Sequence, residues 1–345
     1  MARARMSPMT DTVIININLT GKWIAFMKLL VTGGAGFIGS HLCEKLVREG
    51  NQIVCVDNFN TYYDPAIKRR NISGLLDSEQ FALSEMDICD FDSLDMLFKR
   101  HAFDGVVHLA ARAGVRPSIE DPRLYQRVNV EGTFNLLELS KHYRVPKFVL
   151  ASTSSIYGNN HKVPFSEEDN VDYPISPYAA TKKACELIAY TYHTLHQLHV
   201  TCLRFFTVYG PRQRPDMAIH KFTHLIAQGK PIPFFGDGSS RRDYTYISDI
   251  IQGVCKAIDR CEGYHIYNLG ESQTITLKSL VELIEKSLDK KAILEKLGNQ
   301  PGDVEQTYAD ITRARNELDY RPGVPIEEGI PRFVDWYKET CQTNG

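Results

Sequence analysis

The sequence predicts an α/β protein built on a doubly wound parallel sheet (Rossmann type), with a smaller C-terminal lobe interleaved with it. Two observations carry that prediction. Continuous apolar runs alternate with amphipathic segments from residue 28 to about 210, the texture of strands buried on both faces and separated by helices. A glycine-rich turn, Thr32-Gly33-Gly34-Ala35-Gly36-Phe37-Ile38-Gly39, follows the first apolar run and opens the first amphipathic segment.

The apolar runs place strands at 28–32, 52–56, 81–85, 105–110, 147–152 and 200–206. Helices are expected near 38–49, 64–77, 92–101, 121–143 and 177–198. After residue 210 Pro and Gly become dense, as in GPRQRP and GKPIPFFGDG. A strand pair is then expected near 243–247 and 265–269, with helices near 218–228, 248–259, 276–288 and 326–338. The pattern divides the chain into a dinucleotide-binding domain over 27–210, which also receives parts of 243–270, and a substrate-binding lobe from 211–242 and 271–345. Residues 1–26 read as a disordered extension ahead of the fold. Arg3 and Arg5 precede VIININL in the manner of a signal peptide, but Asp11 and Asn16 interrupt it and no small-residue cleavage site follows.

Composition excludes some classes of partner. Forty basic residues face 42 acidic ones, so no global charge favours nucleic acid or a membrane surface. No apolar stretch reaches the roughly 18 residues that a membrane-spanning helix needs. Eight cysteines occur without a CxxC pair, and Cys55 and Cys202 sit inside apolar runs. Buried free thiols suit a reducing compartment, so the expected location is the cytoplasm.

The glycine turn has the context that gives it a ligand. Gly33, Gly36 and Gly39 allow a tight turn and a close backbone approach, so that a pyrophosphate can rest on the helix start at Phe37 and Ile38. The second strand ends at Asp57, where a carboxylate accepts hydrogen bonds from ribose hydroxyls and repels a 2′-phosphate. Asn58, Phe59 and Asn60 follow it where an NADP site would place Arg, so the expected cofactor is NAD. Asp87 and Ile88 close the third strand and suit an adenine edge and face. Leu109, Ala110 and Ala111 end the fourth with small residues that admit a flat cofactor.

Tyr178 and Lys182 lie four residues apart, on one face of a helix. An ammonium beside a phenol favours the phenolate, which would bring Tyr178 from about 10 toward neutrality and make it a general base. The spacing alone carries nothing, because Tyr143 and Lys147 repeat it. There Pro146 breaks the helix. Tyr178 instead follows Ser176-Pro177, a helix-start signal, and the hydroxyl cluster Ser152-Thr153-Ser154-Ser155 at the end of the fifth strand. His193, His196, His199, His220 and His224 lack the companions and spacing of a metal site.

On these motifs the chain resembles the extended short-chain dehydrogenases/reductases, and among them the NAD-dependent sugar-nucleotide epimerases and dehydratases. The resemblance runs from about residue 27 to 338 through GGAGFIGSHL, VDNFNTYYD, HLAARAGVRPS, ASTSSIYG, SPYAATK, LRFFTVYGPRQRPDM, GDGSSRRDYTYISD and QPGDVEQTYADI. Within the family, AAxAGVRxS, TVYGP–RPDM and QPGDV are most similar to the subgroup of UDP-glucuronic acid 4-epimerases. The resemblance implies that Tyr178 takes the proton from the sugar C4 hydroxyl, that Lys182 tunes it and holds the nicotinamide ribose, and that Thr153 bonds the same sugar oxygen. It implies Asn129, Ser152 and Phe206 in the cofactor pocket. Arg242 would grip the diphosphate, Arg214 would join it or face a sugar carboxylate, and Arg116, Ser154, Ser155 and Thr207 would complete the UDP-sugar site. A homodimer is implied through the helices near 121–143 and from 177. Gln300 departs from the Arg that many neutral-hexose 4-epimerases carry there, which leaves the diphosphate clamp open. A 4,6-dehydratase would need Asp and Glu where this chain has Ser154 and Ser155, and related decarboxylases place Glu at the second position. The alternatives are a 4-epimerase for neutral UDP-hexoses, a UDP-glucuronate decarboxylase, and a silent NAD-binding sensor.

Overall fold

The computed structural model describes residues 15–17, 23–298 and 306–341. Seven parallel strands make one sheet: β1 Lys28–Thr32, β2 Gln52–Asp57, β3 Phe81–Glu85, β4 Gly105–His108, β5 Lys147–Thr153, β6 His199–Phe205 and β7 Tyr264–Leu269. Their order across the sheet is β7-β6-β5-β4-β1-β2-β3. Helices cover both faces, so the strands are buried on both sides: Leu29, Leu30, Phe148 and Leu150 are all fully enclosed. The order reverses between β1 and β4, and the crevice beyond the C-terminal strand ends at that switch point is where such a sheet takes its ligand.

Two expectations need correction. The segments near 243–247 and 265–269 do not pair with each other. Tyr244–Tyr246 runs parallel to Thr207–Tyr209, while β7 joins the main sheet beside β6. The reason is the helix Ile247–Asp259 between them, which carries the chain across the sheet, as a parallel connection requires. The helix expected near 121–143 runs unbroken over 122–142, with a π-turn over Gln126–Glu131 inside it, and a separate short helix, Val115–Glu120, precedes it. Finally, residues 1–26 are not without structure where they are described, because Ile15–Ile17 pairs antiparallel with Trp23–Ala25.

The C-terminal part adds small sheets that the sequence pattern hides. Pro231–Phe235 pairs parallel with Ile293–Leu297, and Arg241–Arg242 pairs antiparallel with Ile275–Thr276. The strand Ile293–Leu297 is exposed along its length, so no apolar alternation marks it. Helices Ala218–Ala227, Leu277–Leu288 and Ile326–Cys341 pack around these strands, with Leu280, Ile284, Ile330 and Phe333 fully buried between them. No helix among the described residues is long and apolar enough to cross a membrane.

Candidate active site

One cleft runs along the C-terminal ends of β1, β2, β4 and β5, and the glycine turn forms its floor. Gly33 has φ +70°, and a Cβ there would lie 2.7 Å from the Ala110 nitrogen. At Gly39 a Cβ would strike the Gly33 carbonyl at 2.2 Å, so only glycine lets the helix Phe37–Arg48 sit this close to the turn. That helix starts at Gly36 with no side-chain cap and no acid in its first turn. Its free N–H groups and dipole face the cleft, an arrangement suited to a pyrophosphate.

Asp57 ends β2, is 6% exposed and accepts a hydrogen bond from the Phe59 backbone N–H at 2.9 Å. Lys68 Nζ stands 3.5 Å from the same carboxylate oxygen. Burial pulls the Lys68 ammonium below its usual range, and Asp57 pushes back. Asp87 loses hydration on burial, but donors from the Cys89 backbone (2.8 Å) and Asn58 Nδ2 (3.0 Å) hold its carboxyl below the usual value. Asp87, just beyond the end of β3, is therefore ionised at neutral pH.

Tyr178 opens the helix Pro177–His196, where Ser176 caps the start by accepting from the Ala179 N–H at 3.2 Å. Its phenol faces the cleft beside Thr153, and Tyr125 packs edge-on against its ring at 6.1 Å. Burial pushes the phenol above its usual value, while the Thr153 hydroxyl and the Arg214 guanidinium pull it down. This corrects the expected electrostatics. Lys182 is 3% exposed and donates to the Ala151 carbonyl at 2.8 Å, leaving Arg214 as the leading cation acting on the phenol. Arg214 is itself held by Asp216 through two hydrogen bonds of 2.9 and 2.8 Å, which keep the guanidinium charged despite burial. Its Cζ lies 5.2 Å from the Tyr62 ring centre. Thr153 Oγ1 donates to Ser155 Oγ at 3.2 Å, forming a hydroxyl rim at the end of β5.

The cleft gathers most of the residues singled out from the sequence. Gly33, Gly36, Phe37, Ile38, Gly39, Asp57, Asn58, Asp87, Ile88, Leu109, Ala110, Ala111, Ser152, Thr153, Ser154, Ser155, Tyr178, Lys182, Phe206, Thr207 and Arg214 all line it. Three do not. Asn129, 1% exposed, sits behind the wall in the π-turn, where it accepts from the Arg112 N–H (2.8 Å) and donates to the Arg112 carbonyl (3.0 Å) and Thr181 Oγ1 (3.1 Å). It shapes the wall rather than touching the cleft. Arg116 lays its guanidinium over Phe235 at 5.3 Å, and Arg242 donates to the Arg241 carbonyl at 2.9 Å on the short strand Arg241–Arg242. Gln300 lies outside the described residues.

Sequence reasoning missed Lys68, Tyr62, Tyr63 and Arg112, which also line the cleft. Arg112 directly follows the small-residue end of the fourth strand, whereas Tyr62, Tyr63 and Lys68 lie beyond Asp57 and tertiary packing brings them in. The decoy pair behaves as the proline implied. Tyr143 bonds Asp95 at 2.7 Å, and Lys147 starts β5 facing the carbonyl of Ile258. His220 and His224 are engaged with the Gln213 carbonyl (2.6 Å) and the Tyr337 hydroxyl (2.9 Å).

Comparison with known proteins agrees with this geometry. The family model described as GDP-mannose 4,6 dehydratase matches residues 30–333. A UDP-glucuronate 4-epimerase of Thermodesulfobacterium geofontis is 46% identical over 91% of this chain and 97% of its own length. UDP-glucuronate 4-epimerase 1 of Arabidopsis thaliana is 46% identical over 90% of this chain and 76% of its own. Among solved structures, UDP-glucuronic acid 4-epimerase from Bacillus cereus, in complex with UDP-glucuronic acid and NAD, is similar with a TM-score of 0.86 and 38% identity. That match covers 91% of this chain and 99% of the other. The chain thus belongs to the sugar-nucleotide epimerase and dehydratase family of the extended short-chain dehydrogenases/reductases.

Proposed function

We propose that this protein is an NAD-dependent UDP-glucuronate 4-epimerase, converting UDP-glucuronate to UDP-galacturonate through a 4-keto sugar. The observation that carries the reading is that Tyr178 and Thr153 line one cleft with Ser154, Ser155, Thr207 and Arg214, whose hydroxyls and guanidinium can take a carboxylate. Relatives named as UDP-glucuronate 4-epimerases, and a similar structure holding UDP-glucuronic acid and NAD, support it. The dehydratase name of the family model does not transfer to the chemistry, because Ser154 and Ser155 replace the acid and base that dehydration requires.

When bound, NAD accepts a hydride from sugar C4 and returns it to the other face, and its nicotinium adds positive charge near the phenol. The residues of the chain do the rest. Tyr178 takes the C4 hydroxyl proton and gives it back, and Thr153 holds the same oxygen. Lys182, which has three donors and spends one on Ala151, holds the nicotinamide ribose. Arg214 offers its fork to the sugar carboxylate, with the small hydroxyls beside it. Residues 27–210, with parts of 243–270, carry the cofactor, while 211–242 and 271–345 close over the sugar nucleotide.

Two further statements go with this reading. The protein pairs as a homodimer through the helices near 121–143 and from 177. The half-exposed Phe134, Leu187 and Tyr190 and the more exposed Leu195 on those helices support that contact. It acts in the cytoplasm, a reading supported by the free, buried thiols of Cys43, Cys55, Cys185, Cys202 and Cys261.

The test is product analysis by NMR after incubation of the purified protein with UDP-glucuronate and, separately, UDP-glucose. UDP-galacturonate is the expected product. Turnover of UDP-glucose alone would make the enzyme a neutral-hexose epimerase instead.

A further inference from the structure

We propose that Lys68 is a phosphate-ready cation at the ribose end of the cleft, masked by Asp57, so that the choice of NAD over NADP rests on Asp57 alone. The proposal rests on the reading that this cleft takes a dinucleotide. Asp57 and Lys68 are 6% and 5% exposed, and Lys68 Nζ lies 3.5 Å from Asp57 Oδ1. Both line the cleft. A buried carboxylate beside a buried ammonium leaves no net charge there. The repulsion that an acid at this strand end would exert on a 2′-phosphate is therefore largely cancelled, and what excludes the phosphate is occupation of Lys68 by Asp57.

The placement of Lys68 is built into the fold. It sits on the short helix Pro65–Ile72, capped by Asp64, which accepts from the Ala66 N–H at 2.9 Å. Asn71 ties that helix to the glycine turn by donating to the Ala35 carbonyl at 3.1 Å. The ammonium also stands 5.2 Å from the centre of the Tyr63 ring. The next residue, Arg69, faces away and pairs with Glu85 at 3.0 Å, so Lys68 is the cation of this helix that reaches the cleft. Beyond Asp57, Arg112 and Arg214 both act on it as like charges. Removing the Asp57 carboxylate leaves a buried ammonium without its counter-ion, a costly state that a phosphate dianion relieves.

The experiment uses the full chain stripped of nucleotide, with NAD and NADP binding measured by calorimetry, so it does not depend on sugar turnover. Wild type should bind NAD at least ~10-fold more tightly than NADP. Asp57→Ser should weaken NAD and strengthen NADP by about 10-fold each. Adding Lys68→Met should erase the NADP gain while leaving the NAD loss in place. An Asp57→Ser protein that gains no NADP affinity overturns the proposal, and so does a double variant that keeps the gain. Thermal unfolding checks that each variant folds, and Asp57→Asn replaces the serine variant if that one does not. Wild type that binds neither dinucleotide would bring down the cofactor reading itself, a result distinct from either failure above.

Discussion

Lys182 donates to the carbonyl of Ala151 across 2.8 Å, tying the helix that carries Tyr178 to the C-terminal end of β5. The bond keeps a fully enclosed ammonium satisfied and holds it ready at the cleft wall. It also leaves the phenol to burial, Thr153 and Arg214 until ligands arrive.

Removing the phenol tests the base directly. Tyr178→Phe should lose at least ~10²-fold in turnover, the usual scale of general acid–base assistance, while binding NAD as before. Tyr143→Phe, which removes only a contact with Asp95, should leave turnover close to wild type. A Tyr178→Phe enzyme with near-normal kcat would remove Tyr178 from the mechanism.

The hydroxyl rim should control the fate of the intermediate. Oxidising C4 of UDP-glucuronate gives a β-keto acid, which loses carbon dioxide fastest when the breaking bond stands perpendicular to the carbonyl plane. On the proposed reading Ser154, Ser155 and Thr207 would hold the carboxylate near that plane, so wild type should form little UDP-pentose. Ser155→Glu or Thr207→Ala should raise the pentose fraction as epimerisation falls. A time course of both products, with carbon dioxide release as a check, reads the partition. Wild type that yields mainly UDP-pentose would make the enzyme a decarboxylase.

Stability should fall with rising pH because of Glu271. This residue follows β7 and is 8% exposed, and burial beside Asp249 and Asp243 pushes its carboxyl up to about 8, with Arg315 pulling the other way. The native state thus keeps a proton that the unfolded chain gives up near 4.5. Folding stability is full below that value and declines as pH rises toward 8. Glu271→Gln should raise the melting temperature by about 3 °C at pH 8.5 and change it little at pH 5. Equal effects at both pH values would contradict the titration.

The sheet is also pinned by a buried ion pair. Arg204 on β6 meets Glu186 through bonds of 3.0 and 2.9 Å, each residue 1% exposed, and Ser152 donates to the same carboxylate at 2.6 Å. Arg204→Met should cost about 3–5 kcal/mol in chemical denaturation, because it strands a buried charge. Glu186→Leu added to it should recover most of that loss. Additive losses would mean that the pair acts as two independent anchors.

Much of this was legible because local and tertiary preferences agree. KLLVT and FALSE are strands over the spans the sequence predicts, and Ser176-Pro177 marks where the helix carrying Tyr178 begins. The glycine turn and Asp57 reveal the cofactor end, since backbone conformation and a strand-end acid are local properties. Lys68 was illegible for the opposite reason. A lysine in a short amphipathic helix looks solvated until Asn71 docks that helix on the glycine turn. The π-turn at Gln126–Glu131 shows the same limit. Its extra residue is stabilised by Asn129 gripping Arg112 from a distant loop, and no periodicity in the segment announces it.

The seventh strand has a consequence for how the molecule is made. β6 ends at Phe205, but its outer neighbour β7 is complete only at Leu269. During synthesis the apolar edge of β6 therefore emerges long before the strand that covers it. A nascent chain paused between these two points presents an unpaired, hydrophobic edge to every other chain nearby. Chain length on the ribosome, rather than the stability of the finished fold, sets the interval in which this protein is most exposed to aggregation.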